Sequence, residues 1–258
     1  MSGAAAGARE PVQSLWIGPR LSTVERLAIA SFLDHGHPFH LYVYREPEGV
    51  PAGAELCDAA ALLPESEVFE YRDQPSPSAF SNLFRYRLLA ERGGWWVDSD
   101  VVCLAPFDFA GEEVLASERV RGRATPATAA IRLPAGSALA AWAFERAAAC
   151  DRAEVGWGEI GPRLFAEGIE RFGLADRVQP PEAFCPLAYD EWERALDPEP
   201  PPLPSAARAL HLWNEMWRRA GRDKDAAAPA GSLLDCLIRR HLDSAEAAPT
   251  RSGNGSAG

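Results

Sequence analysis

Apolar and polar positions change period along the first half of the chain, and this change predicts strands that alternate with helices. Val12–Gly18 is a short apolar run ending in glycine, which is typical of a buried strand. Ser22 and Glu25 form a capping box, and apolar residues at helical spacing follow until His37. Phe39–Tyr44 is predicted to be a second strand, so the unit is strand–helix–strand with parallel strands.

A second run of the same kind contains the most distinctive residues. Residues 50–76 are rich in Pro, Ala and Glu and predict a loop. Phe80–Arg92 has apolar side chains at helical spacing and ends at Gly93-Gly94, a usual signal for the end of a helix. Trp95–Val97 predicts a strand that runs directly into Asp98-Ser99-Asp100.

The order of these elements predicts an α/β fold in a single domain. Both ends are rich in small and polar residues, so we assign residues 1–10 to a flexible arm, 11–244 to the domain and 245–258 to a disordered tail. The later pattern is less regular and predicts strands at Val101–Leu104, around Ile131 and at Ala209–Met216, helices at Ser137–Ala149, Pro162–Phe172 and Ser232–Leu242, and irregular structure at Leu187–Ala195 and Pro198–Pro204.

Charge and cysteine content narrow the function classes. The net charge of −11 argues against nucleic acid as a partner, because its phosphates require a basic face. The five cysteines include no CxxC pair, which argues against a zinc knuckle or a redox pair and favours free thiols in a reducing compartment. No apolar run is long enough to predict a transmembrane segment or a signal peptide. We therefore expect a cytoplasmic protein, and the basic stretch Trp217–Arg219 leaves open a peripheral location at the inner membrane face.

Asp98 and Asp100 are the strongest chemical signal in the sequence. Residues i and i+2 of a strand project to the same side, and ligands of open α/β sheets bind at the carboxyl ends of strands. Two neighbouring carboxylates favour a cation between or beyond them, and oxygen ligands suit Mg²⁺ or Mn²⁺, which share their shell with substrate phosphates. The pattern predicts a divalent metal presented to a diphosphate; a polar turn after an edge strand is the structural alternative.

The segment from Ala79 to Asp100 resembles the nucleotide-sugar glycosyltransferases whose sugar-binding region contains a DxD motif. This group includes yeast-type mannosyltransferases, α-1,4-galactosyltransferase-like proteins, bacterial capsule enzymes of polysaccharide biosynthesis and the clostridial glucosylating toxins. Its signature is Ser-Asp-x-x-Arg-Tyr, a helical spacer and Gly-Gly-x-Tyr-x-Asp-x-Asp, and this chain has Ser81-Asn82-x-x-Arg85-Tyr86 followed by Gly93-Gly94-x-Trp96-x-Asp98-x-Asp100. The resemblance implies a GT-A fold, a Rossmann-like mixed sheet flanked by helices, with one nucleotide-sugar site.

The resemblance also implies roles for individual residues. The implied metal ligands are Asp100 directly, Asp98 through water, and His211 and Asn214 to complete the shell. The implied catalytic set is Asp98, Asp100 and Arg85, and the implied donor-binding residues are Trp16 on the base, Asn82 and Arg85 on the sugar, Asp98 on hydroxyls and Trp213 on a phosphate. The chain departs from the signature at Asn82, which replaces an Asp, and at Trp96, which replaces a Tyr.

The function implied by the resemblance is a metal-dependent transfer, with Mn²⁺ or Mg²⁺, of a sugar from a nucleotide-sugar donor to a glycan or other hydroxyl acceptor. A UDP-sugar is favoured because Trp16 resembles the uracil-stacking position of toxin-like members, and retention of anomeric configuration is implied by the named relatives. Glu159 lies in a stretch similar to the Gly-Pro loop on the acceptor side, although a solvated loop glutamate is the favoured interpretation.

Two other functions stay open at this point. A haloacid-dehalogenase-type phosphatase also has a DxD after a strand, but Lys224 with Asp223 or Asp225 fits its remaining requirements poorly in chain order. A non-catalytic nucleotide-sugar-binding relative is the other alternative, with Asn82 marking lost turnover.

Overall fold

The computed structural model describes residues 9–243. The strands are β1 Val12–Trp16, β2 Phe39–Val43, β3 Ala54–Asp58, β4 Gly94–Val97, β5 Val101–Cys103, β6 Val114–Val120, β7 Arg123–Leu133 and β8 Ala209–His211. The helices are α1 Thr23–Asp34, α2 Ser78–Arg92, α3 Ala138–Ala148, α4 Leu164–Arg171, α5 Pro181–Phe184, α6 Asn214–Arg219 and α7 Leu233–Ile238. Most of the predicted arm and all of the predicted tail lie outside the described residues, so the domain limits stay a prediction.

Six strands form one sheet in the order β3-β2-β1-β4-β7-β6. The four strands β3, β2, β1 and β4 are parallel to one another. The strand β7 is antiparallel to both of its neighbours, β4 and β6. The strands β5 and β8 form a separate antiparallel pair. The predicted parallel strand–helix–strand unit is confirmed, with Val12 of β1 opposite Phe39 of β2.

Local sequence explains the two helices that precede the central strands. The capping box predicted at Ser22 is present at the start of α1. The helix α2 ends at Gly93, whose φ of +65° is left-handed. A Cβ at Gly93 would lie 2.3 Å from the backbone nitrogen of Ala135, so only glycine allows the chain to turn here into β4.

The hairpin of β6 and β7 reaches past the carboxyl end of β4. The strand β4 pairs with β7 from Gly94 opposite Leu133 to Val97 opposite Ala130. The remaining residues of β7, from Arg123 to Ala129, therefore continue beyond β4, beside β6. This extension forms a wall at the carboxyl edge of the sheet.

Apolar side chains cover both faces of the sheet. The helices α2, α3 and α4 pack on one face around Trp96, and α1 packs on the other around Trp95. A third cluster joins α1 to the β5–β8 pair and to the C-terminal helices through Trp192 and Trp217. Within residues 9–243, no helix has the length and apolar character needed to cross a bilayer.

The structure corrects several sequence-based predictions. Ala54–Asp58 is a strand where a loop was predicted, because this edge strand is half exposed and has the polar composition of a loop. Only Ile131 indicated strand character in a region that forms the two long strands β6 and β7. The late strand ends at His211 rather than at Met216, and Tyr189–Leu196 is a 3₁₀-helix rather than irregular.

Candidate active site at the carboxyl edge of the sheet

Asp98 and Asp100 lie in a tight turn between β4 and β5. The strand β4 ends at Val97, so the argument that the two aspartates share one side of a strand is wrong. The Asp98 backbone N–H donates to Ala129 O at 2.9 Å, and Val101 N–H donates to Asp98 O at 3.0 Å. These two hydrogen bonds, one to β7 and one within the turn, hold both carboxylates at the carboxyl edge of the sheet.

One oxygen of Asp98 is held by two donors. Its Oδ1 accepts a hydrogen bond from Trp96 Nε1 at 3.0 Å and lies 3.1 Å from Arg85 Nη2. Arg85 is itself held in place, because its Nη1 donates to Thr128 O at 2.6 Å and its guanidinium lies over the Trp96 ring. The second carboxylate oxygen of Asp98 is left for another partner, and a quarter of the side chain is exposed.

Asp100 and His211 form a buried pair. His211 Nε2 lies 3.3 Å from Asp100 Oδ1, and Asn214 N–H donates to Asp100 Oδ2 at 2.6 Å. Burial opposes the charge of Asp100, but His211 and the Asn214 N–H hold its pKa below the ordinary value. Burial likewise opposes the charge of His211, but Asp100 raises its pKa well above the ordinary value.

Asp98, Asp100 and His211 could together hold a metal ion. Each offers one ligand atom, and these atoms all lie within 4.8 Å of one another. Ligands at about 2.1 Å from one octahedral ion are about 3.0 Å apart when adjacent and about 4.2 Å apart when opposite, so a closure of at most about 2 Å would let all three atoms contact the ion. Two carboxylates and an imidazole are a donor set that suits Mn²⁺.

The Asn214 side chain adds a fourth candidate ligand. Its Nδ2 donates to Glu25 Oε1 at 2.7 Å, and its Oδ1 is buried with no hydrogen-bond partner. A buried acceptor without a partner is costly, so its presence on a residue whose backbone N–H binds Asp100 fits a group that a ligand completes.

Asn82 lies one turn before Arg85 on α2 and has the same unfinished hydrogen bonding. Its Nδ2 donates to Tyr71 O–H and to Ser78 O, whereas its Oδ1 is buried without a partner. Gly161 packs against this amide, and a Cβ there would lie 2.9 Å from Asn82 Nδ2.

Sequence comparison finds one family that is similar over part of the chain. Residues 51–121, which include α2 and the turn from Asp98 to Asp100, match the family model described as "Glycosyltransferase sugar-binding region containing DXD motif". Over these residues the chain is similar to glycosyltransferases whose sugar-binding region contains a DXD motif. The search of curated protein sequences gave no significant match to this chain.

Comparison with solved structures supports the predicted fold. The PaToxG glycosyltransferase is 13% identical, with 66% of this chain and 72% of that chain covered and a TM-score of 0.50. The apo-form glycosyltransferase GlyE of Streptococcus pneumoniae TIGR4 is 14% identical, with 94% and 66% covered, at a TM-score of 0.43 that is too low to support a conclusion. The predicted GT-A fold, a mixed sheet flanked by helices, is confirmed.

Two tryptophans, Trp16 and Trp213, were predicted from sequence to bind the donor. Trp16 is partly exposed at the end of β1, its buried Nε1 has no partner, and Lys224 Nζ lies 5.6 Å from its ring centroid. Trp213 stacks against His211 at 3.9 Å, and its Nε1 already donates to Leu187 O at 3.1 Å. The predicted contact of Trp213 with a phosphate therefore requires it to exchange this bond.

Glu159 does not join the cluster. Its side chain is exposed and accepts a hydrogen bond from Gly156 N–H at 3.0 Å, which agrees with the favoured interpretation of a loop glutamate. Trp96, the other departure from the signature, is buried as expected and contributes its indole N–H to Asp98.

Sequence reasoning missed four residues around the site. Glu25 was assigned only to the cap of α1, although it also binds Asn214 and Lys224. Lys224 is the single lysine of the sequence, which was a usable signal. Glu118 lies on the hairpin extension, and its pKa is raised by burial, lowered by His211 and raised by Asp98. Cys185 Sγ lies 4.0 Å from His211 Nδ1. No local pattern marks these two, because only the fold brings them near His211.

Proposed function

We propose that this glycosyltransferase uses a divalent ion, Mn²⁺ in preference to Mg²⁺, to transfer a sugar from a UDP-sugar to a hydroxyl group of a glycan or small acceptor, with retention of anomeric configuration. The observation that carries the proposal is the convergence of Asp98, Asp100 and His211 next to an unpartnered Asn214 oxygen. The five free cysteines support a reducing, cytoplasmic location.

The pattern of unpartnered polar atoms supports a ligand at this edge. Six buried side-chain nitrogen or oxygen atoms within residues 9–243 lack a hydrogen-bond partner. Three of the six belong to residues predicted from sequence to bind the donor or the ion, namely Trp16 Nε1, Asn82 Oδ1 and Asn214 Oδ1. Buried polar groups are normally paired, so this concentration favours a bound molecule that pairs them.

The imidazole in the donor set favours Mn²⁺ over Mg²⁺. Asp98, Asp100, His211 and Asn214 would hold the ion, with its other positions left to water and to phosphate oxygens. When bound, a divalent ion supplies positive charge next to the leaving diphosphate, which stabilises the charge that develops there. Arg85 and Trp96 orient Asp98 for this role, and His211 must give up the proton on Nε2 to bind the ion.

The remaining residues would bind the donor. The partly exposed face of Trp16 suits a nucleobase, since stacking requires no charge on the protein. Asn82 presents a free carbonyl oxygen that accepts a hydrogen bond from a sugar hydroxyl, in place of the stronger carboxylate of the family signature. Lys224 beside Trp16 places a cation where a phosphate would follow the base.

The test is donor hydrolysis without an acceptor, measured as nucleotide released from UDP-, GDP- and ADP-sugars with and without MnCl₂. We expect release from a UDP-sugar only with the ion, and a loss of about 10³-fold in Asp100→Asn, since removing one such charge-stabilising contact costs about 10²–10³ in rate. Asp108→Asn, the same change at an exposed aspartate of the opposite sheet edge, is the matched control and should leave the rate unchanged.

Undiminished release by Asp100→Asn would contradict the proposal. Metal-dependent binding of the nucleotide sugar with no release, and no transfer to any hydroxyl acceptor tried, would favour the non-catalytic relative instead.

A further inference from the structure

We infer that Glu25 is a positioning residue that orients the Asn214 side chain so that its carbonyl oxygen, and not its NH₂ group, is available to the metal ion. The inference rests on the metal-dependent function proposed above. It concerns a residue that local sequence explains fully as a helix cap, so the second role arises only from the fold.

Glu25 is a completely buried carboxylate with a partner at each acceptor position. Its side chain is 0% exposed. Its Oε2 accepts hydrogen bonds from the backbone N–H of Ser22 at 2.8 Å and from the Ser22 hydroxyl. Its Oε1 accepts from Asn214 Nδ2 at 2.7 Å and from Lys224 Nζ. The cap of α1 therefore uses only one of the two oxygens, and the other is directed to the segment that follows His211.

The chemistry of the carboxylate fixes which end of the Asn214 amide faces it. An ionised carboxylate only accepts hydrogen bonds, so the NH₂ group of Asn214 must point to Glu25. The backbone N–H of Asn214 is fixed separately on Asp100 Oδ2 at 2.6 Å. With the backbone held by Asp100 and the amide held by Glu25, Oδ1 is left buried and unpartnered on a residue that is bonded directly to the carboxylate that would bind the ion.

A neutral amide at position 25 would remove this selection. In Glu25→Gln the new NH₂ group can donate to Asn214 Oδ1, so the Asn214 amide is free to turn and its oxygen is withdrawn from the ion. Residues that orient metal ligands typically change metal affinity by about 10–100-fold when substituted. We expect Glu25→Gln to weaken Mn²⁺ binding by at least about tenfold.

The experiment is calorimetric Mn²⁺ titration of the nucleotide-free protein for the wild type, Glu25→Gln, Asn214→Ala and the double variant. Because Glu25 acts through Asn214, Glu25→Gln should cause no further loss of Mn²⁺ affinity in the Asn214→Ala background. A purely structural role predicts instead that the two losses add. Ser22→Ala is the matched control, since it removes a cap contact from Oε2 but leaves the bond between Oε1 and Asn214, and it should keep the wild-type Mn²⁺ affinity.

A second measurement covers the case in which Glu25→Gln does not fold. The side-chain NH₂ protons of Asn214 should exchange slowly with water in the wild type, and their NMR signals should shift on titration with diamagnetic Mg²⁺. Rapid exchange, or signals that do not move as the ion binds, would overturn the inference.

The outcomes separate this inference from the function on which it rests. A wild-type protein that binds no Mn²⁺ overturns both. Wild-type binding with an equal affinity in Glu25→Gln overturns the role of Glu25 and leaves the proposed function standing.

Discussion

The two ends of the central sheet carry similar residues and arrange them differently. At the amino edge, a cavity of about 220 Å³ is lined by aromatic rings and by charged groups that pair with each other, such as Arg132 with Glu10 at 2.7 Å. At the carboxyl edge, Asp98, Asp100 and His211 converge next to polar atoms that have no partner. The charged residues at the amino edge thus satisfy one another, whereas the hydrogen bonding at the carboxyl edge is incomplete.

The histidines at the two edges make the same point. At the amino edge, His37 Nδ1 donates to Glu10 O at 3.1 Å and His37 Nε2 accepts from Phe107 N–H at 3.1 Å, which requires the neutral ring. Burial lowers its pKa. At the carboxyl edge, the net effect of Asp100 is to raise the pKa of His211 well above the ordinary value. His37 therefore has a structural role, with both ring nitrogens bonded to the backbone, whereas His211 faces Asp100, with which it could bind one ion.

Substituting one tryptophan at each edge should separate stability from binding. Trp95→Leu removes a ring that is 1% exposed and lies 4.7 Å from the Phe107 ring, so we expect a loss of about 3 kcal/mol in the free energy of unfolding, near the lower end for Trp→Ala, with normal activity of the folded fraction. Trp16→Leu keeps an apolar side chain at the end of β1 but loses the stacking face, so the KM for the donor should rise about tenfold or more. Urea unfolding and steady-state kinetics measure the two effects.

The comparison would fail if the effects were exchanged. A large loss of stability in Trp16→Leu with an unchanged KM would make Trp16 a core residue, the structural alternative to its binding role.

Substitutions at two glycines, Gly156 and Gly161, test whether Asn82 contacts the sugar of the donor. Gly161→Ala would place a Cβ 2.9 Å from Asn82 Nδ2, which pushes the amide from its position, so the kcat/KM for the donor should fall about tenfold, equivalent to about 1.4 kcal/mol. Gly156→Ala is the matched control, because its Cβ would meet no atom closer than 3.8 Å. Equal kinetics in the two variants would show that Asn82 does not contact the donor.

The smallest expected effect is the pH dependence of stability at the amino edge. The folded-state pKa of His37 lies below its ordinary value of 6.5, so the unfolded chain binds the proton more readily. The free energy of unfolding should therefore fall as the pH drops below 6.5, with a slope from His37 of at most about 1.4 kcal/mol per pH unit, and His37 should contribute no slope above that pH. Urea unfolding of wild type and His37→Gln across this range measures the difference, and identical slopes would contradict it.

Much of the fold was predictable because it depends on local signals. The capping box at Ser22 and the glycine pair after Arg92 placed α1, α2 and the strands beside them. The edge strand Ala54–Asp58 was missed because it is half exposed and has the composition of a loop, and the hairpin of β6 and β7 was missed because its local pattern indicated a strand only around Ile131. The same distinction applies to the candidate site. Asp98 and Asp100 were predictable because they stand in a recognisable motif, whereas Glu25 and Glu118 were not, because only tertiary packing brings them to the site.

The predicted convergence of the two aspartates is correct although its reason is wrong. The argument assumed that residues two apart share a side of a strand, but Asp98 and Asp100 lie in a turn. Hydrogen bonds from the turn to Ala129 and within the turn itself give the arrangement that strand geometry was expected to give. The motif therefore located the site, and the fold supplied its geometry.

The most direct test of the account is a calorimetric titration of UDP into the protein with and without Mn²⁺, compared for the wild type and Asp100→Asn. We expect UDP to bind the wild type at least about tenfold more tightly with the ion present, a gain of about 1.4 kcal/mol, and we expect Asp100→Asn to lose that gain. Equal UDP affinity with and without Mn²⁺ in the wild type, or a gain that survives in Asp100→Asn, would contradict the claim that this edge of the sheet binds a diphosphate through a metal ion.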